Sequence, residues 1–124
     1  MTPANHNKRN GTVRERKVKE LLEDDGYFVV RSAGSGGVAD LVALKPGQVL
    51  LVQCKSEAYL APAEWNALWF TSVNTRAVPI HAAKLPGSRR VVWHRLTGPK
   101  TVVTKRPAWV DWTPDQVNRK AIGQ

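Results

Sequence analysis

With 124 residues, 19 Lys and Arg against 10 Asp and Glu, and a formal charge of +9, the chain has length for one core and a surplus of cations. No apolar run approaches the ~20 residues that span a bilayer, and the single cysteine, Cys54, excludes an intrachain disulfide framework. The surplus points to a polyanionic partner, because each phosphate that a Lys or Arg neutralises releases counterions. Neither a zinc-ligand cluster nor an aromatic-interleaved single-strand motif accompanies it. Cys54 reads as a small buried hydrophobe in a reducing, intracellular setting.

Residues 1–10, with Lys8 and Arg9, read as a flexible basic arm ahead of a single domain over 11–124. No apolar stretch follows the arm, so no signal peptide is expected. Thr12 to Asp25 predicts a helix with Val18, Leu21 and Leu22 on one stripe and Gly26 at its stop. Tyr27 to Arg31 predicts a short strand, and Ser32 to Gly37 a glycine-rich loop. A hairpin follows from Asp40 to Lys55, turning at Lys45-Pro46-Gly47-Gln48. Pro62 to Val73 predicts a second helix carrying Trp65, Leu68 and Trp69 on one face. Ala77 to Ala82, Val91 to Leu96 and Thr101 to Thr104 read as further strands, and Thr113-Pro114-Asp115-Gln116 as the start of a terminal helix. The order predicts a mixed sheet with helices packed on it.

If Lys45 faces Gln48, Asp40 falls directly opposite Gln53, where paired Cβ atoms lie about 4.5–5.5 Å apart. Lys55 shares Gln53's face, because side chains two apart on a strand point the same way. An acid, an amide and a lysine thus meet at one end of an otherwise apolar hairpin. A fold does not need that, but metal-assisted phosphodiester chemistry does. Carboxylate oxygens suit hard ions such as Mg²⁺, and a lysine can stabilise charge developing on phosphate. Glu15 lies three residues before Val18 on the inward stripe, aimed at the sheet; it also completes a Thr12-x-x-Glu15 capping box, the alternative reading of the same acid. Ser35, among Gly34, Gly36 and Gly37, and Arg31 at the strand end suit phosphate contact. His81 and His94 lack partner spacing and read as structural; Trp65 and Trp69 read as core or subunit interface.

The ordered set Gly11-x-x-x-Glu15-Arg16, Val29-Val30-Arg31, Gly34-Ser35-Gly36, Asp40-Leu41-Val42-Ala43-Leu44-Lys45 and Gln53-Cys54-Lys55-Ser56 resembles the archaeal-type Holliday-junction resolvases of the PD-(D/E)xK nuclease superfamily. The resemblance runs from about Gly11 to Ser56 and weakly on to Glu64. It implies a restriction-endonuclease-like mixed central β-sheet flanked by α-helices, and a Mg²⁺-dependent homodimer, with Mn²⁺ able to substitute, that cuts four-way junctions. Asp40, Glu15 and position 53 would be metal ligands, Lys55 the catalytic lysine and Ser35 the loop serine near the scissile phosphate. Arg16 and Arg31, with Lys8, Arg9 and Arg14 from the basic front of the chain, would contact DNA.

Two positions depart from the family pattern. Ala39 replaces the usual proline before the aspartate, and Gln53 stands where a second acid is usual. An amide oxygen can ligate a metal but brings no charge, so Glu64, and less so Glu57, are candidates to compensate. The departure keeps two other readings open: a related repair or restriction-like nuclease, and a catalytically weakened DNA-binding module.

Overall fold

A computed structural model describes residues 3–32, 37–101 and 108–114, with side chains from residue 11 onward. Its elements are α1 (Pro3–Asp24), β1 (Phe28–Arg31), β2 (Leu41–Lys45), β3 (Gln48–Lys55), α2 (Pro62–Thr75), β4 (Val78–Ala83), β5 (Val92–Leu96) and β6 (Trp109–Asp111). The six strands form one sheet in chain order; β3 and β4 run parallel, joined through α2, and every other neighbouring pair is antiparallel. The mixed sheet expected from the sequence is what forms.

Each face of the sheet is closed by one helix. Val18 and Leu22 of α1 are fully buried among Leu41, Ala43, Leu50 and Val52. On the other face, Trp65 and Leu68 of α2 pack with Leu60 and Leu96. Removing such a side chain from water is worth about 1.5–3 kcal/mol, so alternation along β2 and β3 decides which way each polar residue points.

The hairpin turns where expected, with Lys45 paired to Gln48. Pro46 presets the first central position, and Gly47 takes φ +74°, open to glycine at little cost. The turn is anchored from outside. Lys45 Nζ donates to the fully buried Asp25 at 2.9 Å and lies 4.3 Å from the Tyr27 ring centroid. Tyr27 O–H donates to Gln48 Oε1 at 2.5 Å.

Some boundaries differ from expectation. The first helix starts at Pro3, not Thr12, so the backbone of residues 3–10, expected as an arm, is helical. Pro3 suits a first turn, and Gly11 costs about 1 kcal/mol, too little to stop a helix anchored downstream by Val18 and Leu22. β6 was not expected. It is three residues long and is held by pairing with β5 and by Trp109, whose ring stacks on His94 at 4.0 Å and on Trp65 at 4.9 Å. Most of the strand expected at Thr101 to Thr104, and the terminal helix beyond Pro114, lie outside the described residues.

Two predictions follow from these contacts. Lys45→Met removes the ion-pair partner of the buried Asp25 carboxylate and lowers unfolding free energy by about 3 kcal/mol, measured in urea at pH 7; an unchanged midpoint would show that the pair anchors nothing. The second concerns His81, fully buried beside Trp109. Burial first, then His94 and Lys55, push its pKa down to about 4, against weaker upward pulls from the Glu57 backbone and Glu64. Between pH 6.5 and about 4 the unfolded chain therefore binds a proton that the folded chain does not, and stability falls as pH drops. The loss reaches at most about 3 kcal/mol, at 1.36 kcal/mol per pH unit. His81→Phe flattens this slope relative to wild type; identical slopes would contradict it.

Candidate functional site

Asp40 stands just before β2, and its backbone is fixed from two sides. Its N–H donates to Val52 C=O at 2.9 Å, and its C=O accepts from the Ser32 N–H at 2.8 Å. The carboxylate is fixed as well: Oδ2 accepts the Cys54 N–H at 2.8 Å. Burial raises the Asp40 pKa from the usual carboxylate value, and the charge of Glu15 adds to that; the Cys54 N–H, Lys55 and Arg14 pull it back down. Glu15, Lys55 and Arg14 therefore all lie within electrostatic reach of Asp40. Cys54 itself is buried, and desolvation together with Asp40 and Glu15 holds its thiol well above the usual pKa, which keeps it protonated and inert.

Gln53 carries the next polar group. The observed register sets Asp40 opposite it across the hairpin, one step beyond the Leu41–Val52 pair, and His81 opposite it across the parallel pair. Its Nε2 donates to Glu64 Oε2 at 3.2 Å. Its Oε1 is buried with no hydrogen-bond partner among the described residues. Lys55 Nζ donates to the same Glu64 oxygen at 2.5 Å. Glu64 thus joins Gln53 and Lys55 from the opposite element. It sits in the first turn of α2, where the helix N-terminus favours negative charge. A cavity of about 260 Å³ opens here, lined by Gly37, Val38, Gln53, Ala63, Glu64 and Ala67. At its rim, a Cβ on Gly37 would meet Ser32 Oγ at 3.0 Å, a contact that the serine side chain would have to ease.

Glu15 is no capping residue, because the helix starts far upstream of Thr12. It accepts from Arg31 Nε at 2.7 Å instead, and Arg31 Nη2 reaches Thr12 Oγ1 at 3.5 Å. Arg16, Lys19 and Arg31 line a small basic groove beside it, about 140 Å³ in volume. Ser35 and the side chains of Lys8 and Arg9 lie outside the described residues. Glu57 is exposed beyond the end of β3 and shows no bond to Gln53 or Lys55.

The carboxylate and amide oxygens around this end of the hairpin are those of Asp40, of Glu15, whose charge reaches Asp40, and of Glu64 beside the unpartnered Gln53 Oε1. Among the described residues no three His, Cys, Asp or Glu side chains are grouped to enclose a metal ion. Those described residues therefore form no closed tetrahedral site of the zinc kind. A site that keeps waters and leans on substrate phosphate does fit, which is how Mg²⁺ is usually held. Sequence reasoning placed Glu64 near the site but did not foresee that one of its oxygens would serve both Gln53 and Lys55. That contact spans two elements, and only the packing of α2 on the sheet reveals it.

Comparison with known proteins identifies the family. Over 53 residues the chain is 49% identical to the crossover junction endodeoxyribonuclease Hjc of Methanocaldococcus jannaschii, covering 43% of this chain and 39% of that protein. Over 57 residues it is 39% identical to the enzyme of the same name from Sulfurisphaera tokodaii, covering 42% and 40%. The matches thus span about two-fifths of the length of these curated relatives. Among solved structures, Archaeoglobus fulgidus Hjc, a Holliday junction resolvase, superposes with a TM-score of 0.60 at 26% identity, over 82% of this chain and 88% of that one. A family model described as archaeal Holliday junction resolvase (Hjc) matches residues 6–106, and the chain belongs to that family.

Proposed function

We propose that the chain is a Mg²⁺-dependent endodeoxyribonuclease that resolves four-way junctions, acting as an intracellular homodimer whose two sites cut two opposed strands. The observation that carries this reading is the convergence of Asp40, Gln53, Lys55 and Glu64 at one end of the hairpin, with Glu15 within electrostatic reach. Membership in the resolvase family and the names of the relatives support the substrate. Among the described residues no helix is long and apolar enough to cross a membrane.

The division of labour follows from the contacts. Asp40, Glu64 and Gln53 Oε1 would hold the ion, and Glu15 would add negative potential. Once bound, the ion supplies Lewis-acid polarisation of the phosphoryl group and a more acidic water. Burial and Glu15 make ionised Asp40 costly, a cost that a cation offsets. Lys55 keeps its ammonium at the site through Glu64 and stabilises charge developing on phosphate. Arg16, and Arg31 beside Glu15, face solvent where the phosphates of a bound strand would pass.

Asp40→Asn and Lys55→Ala are expected to lower cleavage of a synthetic four-way junction by about 10²–10³-fold, while junction affinity in EDTA stays near wild type. Linear duplex of the same sequence should resist cutting; equal cutting of junction and duplex would favour a repair or restriction-like nuclease. The alternative of a binding module with weakened cleavage has one observation in its favour, the uncharged Gln53. It requires wild type to bind junctions yet cut none in Mg²⁺ or Mn²⁺.

Gln53→Glu should lower the Mg²⁺ concentration for half-maximal cleavage, and Glu64→Gln should raise it. If neither variant moves that concentration, the two side chains do not reach the ion.

A further inference from the structure

β3 and β4 are the parallel pair, and both end at the same edge of the sheet. Ligands of open α/β sheets gather beyond the carboxyl ends of parallel strands. A cavity of about 550 Å³ lies there, lined by Val13, Arg14, Ser56, Lys84, Leu85 and Pro86. It borders the candidate site at three points. Arg14 precedes Glu15, Ser56 follows Lys55, and the Lys84 N–H donates to the Lys55 C=O at 2.9 Å. Consecutive Cα atoms are 3.8 Å apart, so cavity and site are immediate neighbours.

The cations of this cavity are unspent. Neither Arg14 nor Lys84 forms an ion pair among the described residues, although Arg14 acts electrostatically on Asp40. Arg14 Nε is shut off from solvent with no hydrogen-bond partner among the described residues. A buried donor left in that state favours an incoming acceptor. No carboxylate lines the wall. Apart from Ser56 and Gly87, the rest of the lining is apolar and presented outward, with Val13 52% and Leu85 40% exposed. A free inorganic anion would use the cations and leave this apolar wall bare; a nucleotide would use both.

We infer that this cavity is a nucleotide subsite that takes the residue adjoining the scissile phosphate. The neighbouring, uncut phosphate lies between Arg14 and Lys84, and its sugar and base pack against Val13, Leu85 and Pro86. The subsite rests on the endonuclease reading and deepens it, because it sets which phosphate next to the site is gripped. Its effect is on the placement of the strand, so Arg14 and Lys84 are positioning residues.

The test uses full-length protein and junctions in which a single methylphosphonate, uncharged, is stepped through the phosphates flanking the crossover. Affinity is measured in EDTA and cleavage in Mg²⁺, for wild type, Lys84→Gln and Arg14→Gln. One flanking position should weaken wild-type affinity at least about tenfold, as expected for loss of a charge-assisted hydrogen bond. At that position the modification should add less than about twofold to either variant, because phosphate and cation act as one contact. Free phosphate at millimolar concentration should compete only weakly with the junction. Multiplying effects at every position, or a wild type indifferent to every methylphosphonate, would overturn the subsite. The affinity arm decides this even if nothing is cut, whereas absence of cleavage in Mg²⁺ counts against the endonuclease reading alone.

Discussion

The hydrogen bond from the Cys54 amide to Asp40 Oδ2, 2.8 Å long, ties the residue that opens β2 to the strand opposite it. It forms because the two-residue turn at Pro46-Gly47 sets Lys45 against Gln48, and a period of two then carries the register to Asp40. A slip of one residue would send Asp40 and Lys55 to opposite faces. The register is therefore defended at both ends. At the turn, Asp25, Lys45, Tyr27 and Gln48 clamp the hairpin to the end of α1. At the other end, three backbone and amide bonds fix Asp40. The acid is held by main chain on both sides.

The charges at the two ends of the hairpin are handled differently. Asp25 is buried and paired with Lys45. Asp40 is half-buried, has no ion-pair partner within bonding distance among the described residues, and has its pKa raised by desolvation and by Glu15. Gln53 brings no charge to this end of the strand, and the acid beside it is Glu64, in the first turn of α2. Lys55 is paired with Glu64 there.

Much of this was legible in the residues. Pro-Gly between two apolar runs fixed the hairpin's register, and the register brought Asp40, Gln53 and Lys55 together without any tertiary information. The inward stripe Glu15, Val18, Leu22 proved the better reading of Glu15, because an acid in mid-helix cannot cap. What escaped was tertiary or lacked periodicity. Residues 3–10 have no apolar stripe to announce a helix, yet the backbone continues through them from a helix anchored downstream. β6 has three residues and too little alternation to count, and it is held by a stack of Trp65, Trp109 and His94 gathered from three elements. The pairing of Glu64 with Lys55 depends on how α2 crosses the sheet, which no local pattern encodes.

The central claim is that Asp40, Gln53 and Glu64 face a single divalent ion beside Lys55. Anomalous diffraction from a crystal of the chain grown with Mn²⁺ tests it without reference to turnover. The account predicts one anomalous peak bounded by the Asp40 carboxylate and the Gln53 and Glu64 side-chain oxygens, lost in Asp40→Ala crystals of the same form. A peak elsewhere, or one unchanged by Asp40→Ala, would contradict it.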